Sequence, residues 1–127
     1  MARSNFQSLR VYELAETLSD AVCEIAFAWP NFHRDTIGKQ IVRSADSVGA
    51  NIAEGHGQGT YAANKRHVRI ARGSLNETQH WLRRAFNRKL LTPEQVERLK
   101  PIIDELAPKL NSYLKKIGTR RVTPPKG

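Results

Sequence analysis

The spacing of apolar residues restricts the fold of this chain more than any other feature of its sequence. Apolar side chains recur every three or four residues in four successive segments, residues 8–28, 35–54, 61–89 and 93–117. This period is typical of amphipathic helices, and no convincing alternation of apolar and polar residues indicates a strand. Helices joined by short connections pack as antiparallel neighbours. The sequence therefore predicts an all-α fold, an antiparallel up-down four-helix bundle over residues 1–117.

Proline and capping residues predict where the helices begin and end. The residue before Pro30 is disfavoured in helical geometry, so the first helix should end there. Thr92 is a suitable N-cap for the fourth helix, and Gln95 completes a capping box. Pro101 and Pro108 each remove one backbone hydrogen bond, so we expect a kink or a local break in that helix.

The second and third helices carry further packing signals. Small residues should let a neighbouring helix come close, either inside the bundle or in another subunit. The second helix places such residues outside its apolar stripe: Ser44, Ser47, Gly49, Ala50 and Ala53. The core side of the third helix is predicted to comprise Tyr61, Val68, Ala71, Leu75, Leu82 and Phe86.

Length and composition narrow the class of protein. With 127 residues the chain has the size of one domain, hardly enough to enclose a deep active site alone. Its single cysteine, Cys23, excludes an internal disulfide framework and a cysteine-rich metal cluster. The N-terminus does not resemble a basic and apolar leader, and no apolar run approaches the ~18 residues of a membrane span. We expect a soluble cytoplasmic protein with no membrane partner.

Positive charge is concentrated in one part of the sequence. The formal net charge is +9, and residues 60–90 hold eight Lys or Arg residues against one acidic residue, Glu77. Residues 118–127 add further basic residues without any acid, show no periodicity and are predicted to form a disordered basic tail. Such segregation of charge is typical of a surface that binds a polyanion.

On a helical wheel the basic residues of the third helix form one stripe. The stripe consists of Lys65, Arg69, Arg72, Asn76, Gln79, Arg83 and Asn87, flanked by Arg66, Arg84 and Arg88. Guanidinium and amide groups repeated over many turns can contact successive phosphates. A solvated helix face is the alternative, but such faces mix charges of both signs at a spacing of four. The predicted nucleic-acid-binding residues are Lys65, Arg66, Arg69, Arg72, Arg83, Arg84 and Arg88.

The stretch GHGQGT, residues 55–60, is only superficially similar to a phosphate-binding glycine loop. Such loops follow a strand, whereas this stretch follows a predicted helix, so a helix end is the better interpretation. Glu54 and His56 could serve as an acid and a base, but no nucleophile pattern or ligand cluster accompanies them. We therefore predict no catalytic residue, no metal site and no cofactor. The preferred alternative pairs Glu54 with an arginine of the third helix and uses Asn51 for a hydrogen bond between helices.

Three stretches resemble one family: FQSLRVYELA, SADSVGANIAEGHGQGT and RIARGSLNETQHWL. They are similar to signature segments of the bacterial four-helix-bundle proteins encoded within 23S rRNA intervening sequences, and the similarity covers residues 6–117. The accessory variability determinant of diversity-generating retroelements is a related protein. The resemblance implies a homo-pentameric ring with a basic nucleic-acid-binding surface, no catalytic activity and, in the retroelement branch, a reverse transcriptase partner. It also assigns recurring structural positions to Asn51, Glu54, Gly55, Gly57, Ser74 and Glu77.

The residues and the resemblance together favour a non-enzymatic homo-oligomer that binds RNA or DNA through the basic stripe. Gln58 stands where the family pattern often has arginine, so the glycine-rich turn itself is not expected to hold phosphate. The alternative is an adaptor whose basic face docks a reverse transcriptase or a ribosomal component. A hydrolase is the third and least favoured class.

Overall fold

The computed structural model describes residues 9–118, and every regular element within that range is helical. In chain order the elements are α1 (Arg10–Phe27), α2 (Asn31–His33), a π-helical segment (Arg34–Gly38), α3 (Lys39–His56), α4 (Tyr61–Asn87) and α5 (Pro93–Lys116). No strand occurs between residues 9 and 118. None of these helices is long and apolar enough to cross a membrane.

The predicted four-helix bundle is confirmed. α2, the π-helical segment and α3 follow one another without interruption and together make the second helix of the bundle. α1, α3, α4 and α5 form a closed ring in which each helix packs against the next. Arg10 reaches Glu105, and Arg98 reaches Glu24. The first contact pairs the beginning of α1 with the middle of α5, and the second pairs the end of α1 with the beginning of α5, so the two helices run antiparallel.

The second helix begins earlier than predicted, at Asn31 rather than near Asp35. Pro30 has φ −56° and ψ 152° and serves as its N-cap, so the helix restarts directly after the proline. The apolar spacing could not reveal this start, because Asn31–His33 contributes no buried residue. Regular burial begins only in the π-helical segment, which turns Ile37 toward the core.

α5 has the predicted start but not the predicted break. The Thr92 hydroxyl accepts a hydrogen bond from the Gln95 amide at 3.1 Å, and the Gln95 side chain accepts one from the Thr92 amide at 2.9 Å. This is the capping box that the sequence predicted. The helix continues through Pro101 and Pro108, so it is not broken at either residue, and the alternative of a kink stays a prediction. Both prolines are exposed, so water can satisfy the carbonyl that each leaves without an amide donor.

Two of the small residues of α3, Ser44 and Gly49, act inside the bundle. A Cβ on Gly49 would lie 3.5 Å from the Tyr12 ring and 3.6 Å from Ala15, so α1 approaches closely there. Ser44 is buried and meets Thr78 of α4. Close approach on a second side is therefore confirmed within one chain at these two positions, whereas Ala50 is exposed. The largest fully buried side chains of the surrounding core are Leu18, Val22, Ile41, Val48, Ile52, Val68, Leu75, Leu106 and Leu110.

Two aromatic residues of α4 do not occupy the predicted core. Tyr61 is 52% exposed and Phe86 is 58% exposed, so their assignment to the core side was wrong. The other four predicted core residues of α4 are buried or partly buried. Both rings lie at the edge of the apolar stripe, where the sequence pattern alone does not distinguish a core position from the rim of a groove.

The bundle is described as far as Gly118. Ile117, the last apolar residue of the fourth predicted segment, is buried against the bundle. The predicted disordered tail lies outside the described residues apart from Gly118, and its disorder stays a prediction.

Candidate nucleic-acid interface on α4

α4 carries the basic residues that the sequence assigned to the interface, except Arg88, which is the C-cap of the helix. Thr60 is its N-cap, and the Thr60 hydroxyl accepts a hydrogen bond from the Ala63 amide at 3.2 Å. The helix has 27 residues. At 1.5 Å per residue it is about 40 Å long. One side faces the bundle through Val68, Ala71, Leu75, Thr78 and Ala85.

The structure places the predicted basic residues on the outside of α4. Lys65 and Arg84 are partly exposed, and the others are exposed: Arg66, Arg69, Arg72, Arg83 and Arg88. Between residues 9 and 118, no carboxylate lies within ion-pair distance of any of them. The ion pairs of this range involve Arg10, Arg34, Arg98, Lys100 and Lys109 instead. The charges on α4 therefore face solvent without a described acid to pair with them.

α5 adds polar groups beside the stripe that the sequence reasoning missed. Arg72 Nη1 donates to Asn111 Oδ1 at 3.2 Å across the groove between α4 and α5. Lys100 lines a concavity near the end of α4, and Lys116 lines a separate concavity near the start of α4. The third and fourth predicted helices are joined by a short connection, so their antiparallel packing was predictable. Counting residues outward from that connection would have placed residues near Asn111 opposite Arg72.

A concavity of about 630 Å³ lies at the start of α4, next to Tyr61. Asn64 and Tyr113 line it together with Lys116. Burial raises the pKa of Tyr113, and a hydrogen bond with Asn64 lowers it in part. This end of the groove therefore combines a half-exposed aromatic ring with amide, phenol and ammonium groups.

The opposite side of α4, facing α3, is held by paired hydroxyl groups. Ser44 Oγ and Thr78 Oγ1 lie 2.8 Å apart, and both residues are buried. One turn along, Ser74 Oγ donates to Ser47 Oγ at 3.0 Å. Ser74, which the family pattern marks as a structural position, thus helps to join α4 to α3.

Asn51 and Glu54, two further positions of that pattern, differ in their outcome. The Asn51 side-chain oxygen lies 3.2 Å from Nδ1 of His67, so the predicted hydrogen bond between helices is confirmed. Glu54 is exposed, and its carboxylate accepts a hydrogen bond from the Gln58 side chain at 2.8 Å. The predicted pairing of Glu54 with an arginine of the third helix was therefore wrong. Its side chain lies along its own helix end and does not cross to α4.

The glycines of the turn serve two purposes. Gly55 is buried within α3, and a Cβ there would lie 2.7 Å from Asn64 Oδ1 and 2.9 Å from His67 Cβ. Only glycine allows α4 to come this close. Gly57 is the C-cap of α3, and Gly59 has a φ of 85°. The helix-end interpretation is confirmed for Gly57 and Gly59, whereas Gly55 is a packing residue.

Acidic and metal-ligating side chains are scattered over the described part of the chain. Glu77, the one acid of α4, accepts a hydrogen bond from the Trp81 indole at 3.1 Å. His56 is exposed beside the glycine-rich turn. Within residues 9–118, no group of three or more His, Cys, Asp and Glu side chains could hold a metal ion. The arrangement that recurs along α4 is one of exposed cations, which can bind phosphate oxygens.

Fold and surface define this protein as a helical bundle with one long cationic helix exposed. Residues 7–112 match the family model of the 23S rRNA-intervening sequence proteins. The chain therefore belongs to this family, which confirms the resemblance at that level. The relation to retroelement accessory proteins stays a prediction.

A solved structure with a similar fold comes from Bacteroides thetaiotaomicron. It is the crystal structure, at 1.70 Å resolution, of a protein with unknown function from the S23 ribosomal protein family. The two chains share 27% sequence identity with a TM-score of 0.75, and the match covers 84% of this chain and 99% of that chain. Comparison with curated proteins gave no match. These findings support the family and the fold.

Proposed function

We propose that this protein is a non-enzymatic, homo-oligomeric nucleic-acid-binding protein that contacts phosphates through the basic stripe of α4. The observation that carries the proposal is the set of basic side chains on the outside of α4, from Lys65 to Arg88, none of them within ion-pair distance of a described carboxylate. Guanidinium groups form strong, charge-assisted hydrogen bonds to phosphate. The family description, 23S rRNA-intervening sequence protein, is compatible with RNA as the polyanion.

The chemistry of the stripe favours binding with little sequence preference. Phosphate contacts fix the position of a protein on a nucleic acid but do not read bases. In a homo-oligomer the stripe is present in several copies, so a long strand can contact more than one of them and gain avidity. A long RNA should therefore bind more tightly than a short RNA of the same composition.

The groove between α1 and α3 is the proposed contact with a second copy of the chain. Phe27 is 72% exposed there, and Val42 lines the same groove of about 800 Å³. In a ring each subunit offers two different patches to its neighbours, so this groove would contact another part of the next chain, and apolar groups with charges of both signs around them suit such a contact. The charged lining consists of Arg34, Asp35, Lys39, Arg43 and Asp46. The resemblance supports a ring of five, and a clean monomer in sedimentation at micromolar concentration would contradict the oligomer.

Replacing Arg69, Arg72 and Arg83 together with glutamine tests the stripe. The three changes remove positive charge from exposed positions of α4 and leave its buried side intact. If these residues neutralise phosphates, affinity should fall, and the slope of log affinity against log salt should decrease by about 0.7–0.9 for each lost contact. A long and a short RNA should be titrated at several salt concentrations, after sedimentation has shown that the oligomer persists.

A matched control removes three positive charges from outside α4. Replacing Arg10, Arg98 and Lys109 with glutamine changes the net charge by the same amount as the α4 variant. Each of these three residues is paired with a carboxylate, so none is expected to bind phosphate. This control should retain the salt slope. An unchanged salt slope in the α4 variant would reject the stripe as the phosphate-binding surface. The remaining explanations would be phosphate binding by Arg120 and Arg121, which lie outside the described residues, or a protein as the true partner. The adaptor hypothesis would then be tested by binding to a reverse transcriptase or to ribosomes.

A further inference from the structure

We propose that Tyr61 and Phe86 stack on unpaired bases, so that the groove between α4 and α5 binds single-stranded nucleic acid in preference to a duplex. This inference rests on the proposed function and narrows it to one class of strand. Its starting point is the exposure of the two rings, 52% for Tyr61 and 58% for Phe86, at the margin of the basic stripe. Phe86 lines a concavity between α4 and α5. Tyr61 lines a second, separate concavity at the other end of α4, where Tyr113 of α5 and His56 of α3 also line it.

The Phe86 end of the groove offers an apolar floor with a cation at its rim. A concavity of about 310 Å³ is lined there by Phe86, Leu82 and Ile103, with Arg83 beside them. Lys100 also lines it but is paired with Asp104 at 2.8 Å. Arg83 therefore remains to bind a phosphate while a base lies on the Phe86 ring. Base and phosphate of one nucleotide would be held by different groups.

The Tyr61 end has the same combination. A Cβ built on Gly118 would lie 3.6 Å from Tyr61 Cβ, so the backbone at Gly118 packs against the base of the ring. The Lys65 Cε lies 3.9 Å from that point, and Lys116 lines the adjoining concavity. The ring is supported at its base, Tyr61 is 52% exposed, and the Lys65 and Lys116 side chains border the same end of α4.

The distance between the rings fits a strand that runs along the stripe. Tyr61 and Phe86 are 25 positions apart on one helix, or about 37 Å. Lys65, Arg69 and Arg72 lie between them and face solvent. A flexible single strand can place its phosphates on these cations and a base on each ring, because every base has a face that stacks on an aromatic side chain. A duplex keeps its bases paired and stacked, so it can use the cations only.

Electrostatics alone would give the opposite preference. Salt dependence per phosphate contact is steeper for duplex DNA, about 0.9, than for single strands, about 0.7, because the duplex has the higher charge density. A surface that used only its cations should therefore favour a duplex at low salt. Preference for a single strand would have to come from contacts with bases.

The probes are three nucleic acids of about 20 nucleotides or base pairs. This length exceeds the ~4–16 nucleotides that single stacking modules cover. The first is an RNA without self-complementarity, the second is its duplex, and the third is an abasic sugar-phosphate strand of the same length. We expect the full chain to bind the RNA more tightly than the other two. The abasic strand keeps the phosphates and lacks the bases, so it isolates stacking from charge.

The variants are Tyr61→Leu and Phe86→Leu, which keep an apolar side chain in place of each ring. Each should weaken binding of the RNA about fivefold or more, leave the salt slope unchanged and leave binding of the abasic strand unchanged. The control is Phe32→Leu, since Phe32 is 72% exposed but lies outside α4 and its groove. Circular dichroism and sedimentation establish that each variant keeps its fold and assembly.

The outcomes separate this inference from the proposed function. Equal binding of the RNA and the abasic strand, or equal loss in the Phe32 control, would overturn the stacking role and leave the basic stripe standing. Tighter binding of the duplex than of the single-stranded RNA would also overturn the stacking role and leave the basic stripe standing. If none of the three probes binds, the proposed function itself fails, and the apolar rims of the groove belong to a protein contact.

Discussion

α4 has two sides that are built in opposite ways. Toward α3 it is held by a buried hydroxyl pair, and α3 comes so close at Gly55 that there is no room for one additional carbon atom. Toward α5 it borders open concavities, and Tyr61 and Phe86 are more than half exposed. Closely packed interfaces respond strongly to small changes in volume, whereas exposed side chains tolerate substitution. Substitutions on the two sides should therefore separate stability from binding.

The largest effect on stability is expected from Gly55→Ala. The new Cβ would lie 2.9 Å from His67 Cβ and 3.1 Å from the Asn64 carbonyl oxygen. The Asn64 side chain can rotate away, but the backbone of α4 cannot move without separating the two helices. We expect the free energy of unfolding to fall by about 1–3 kcal/mol. Urea unfolding followed by circular dichroism measures the change.

Gly73→Ala is the matched control, because the same substitution on the same helix pair meets no neighbour. Gly73 lies in the middle of α4, and a Cβ there would have nothing within 4 Å. Alanine is the better helix former, so this variant should gain about 0.5–1 kcal/mol. If Gly55→Ala were stabilised by the same amount, the two sides of α4 would not differ in packing as described.

The sequence predicted features with a local cause better than features that depend on a neighbouring helix. The capping box of Thr92 and Gln95 follows from residues three positions apart, and it was confirmed. The purpose of Gly55 depends on the distance to α4, which no local pattern contains. The sequence therefore suggested that Gly55 marks the end of the helix. The helix in fact ends two residues later, with Gly57 as its C-cap.

The same reason explains the errors in the candidate site. Tyr61 and Phe86 have the spacing of core residues, but α5 does not cover them fully, and only the packed structure shows this. The sequence suggested an arginine partner for Glu54, but the structure pairs its carboxylate with Gln58, four residues further along the chain. The basic residues were easier to place, because long charged side chains remain at the surface unless they are paired.

An intermediate effect is expected from the buried pair Ser44 and Thr78. Ser44→Ala or Thr78→Val alone should lower the free energy of unfolding by about 1 kcal/mol, because each removes one partner of a buried hydrogen bond. The double variant should lose less than the sum of the single losses, with a coupling of about 0.5 kcal/mol or more. Denaturant midpoints of the four proteins complete the cycle. Strict additivity would show that the two hydroxyl groups do not depend on each other.

The smallest effect is expected on the α5 side, from Asn111→Ala. The side-chain oxygen of Asn111 accepts a hydrogen bond from the exposed Arg72 at 3.2 Å, and water can replace it at the surface. The free energy of unfolding should change by less than about 0.5 kcal/mol. Arg72 keeps its charge in this variant, so the salt slope of RNA binding should also stay unchanged, in contrast to Arg72→Gln. A loss above about 1 kcal/mol would mean that the α5 side, like the α3 side, is fixed by a bond that solvent cannot replace. The contact between α4 and α5 would then stabilise the fold, and the division of α4 into a structural side and a binding side would be wrong.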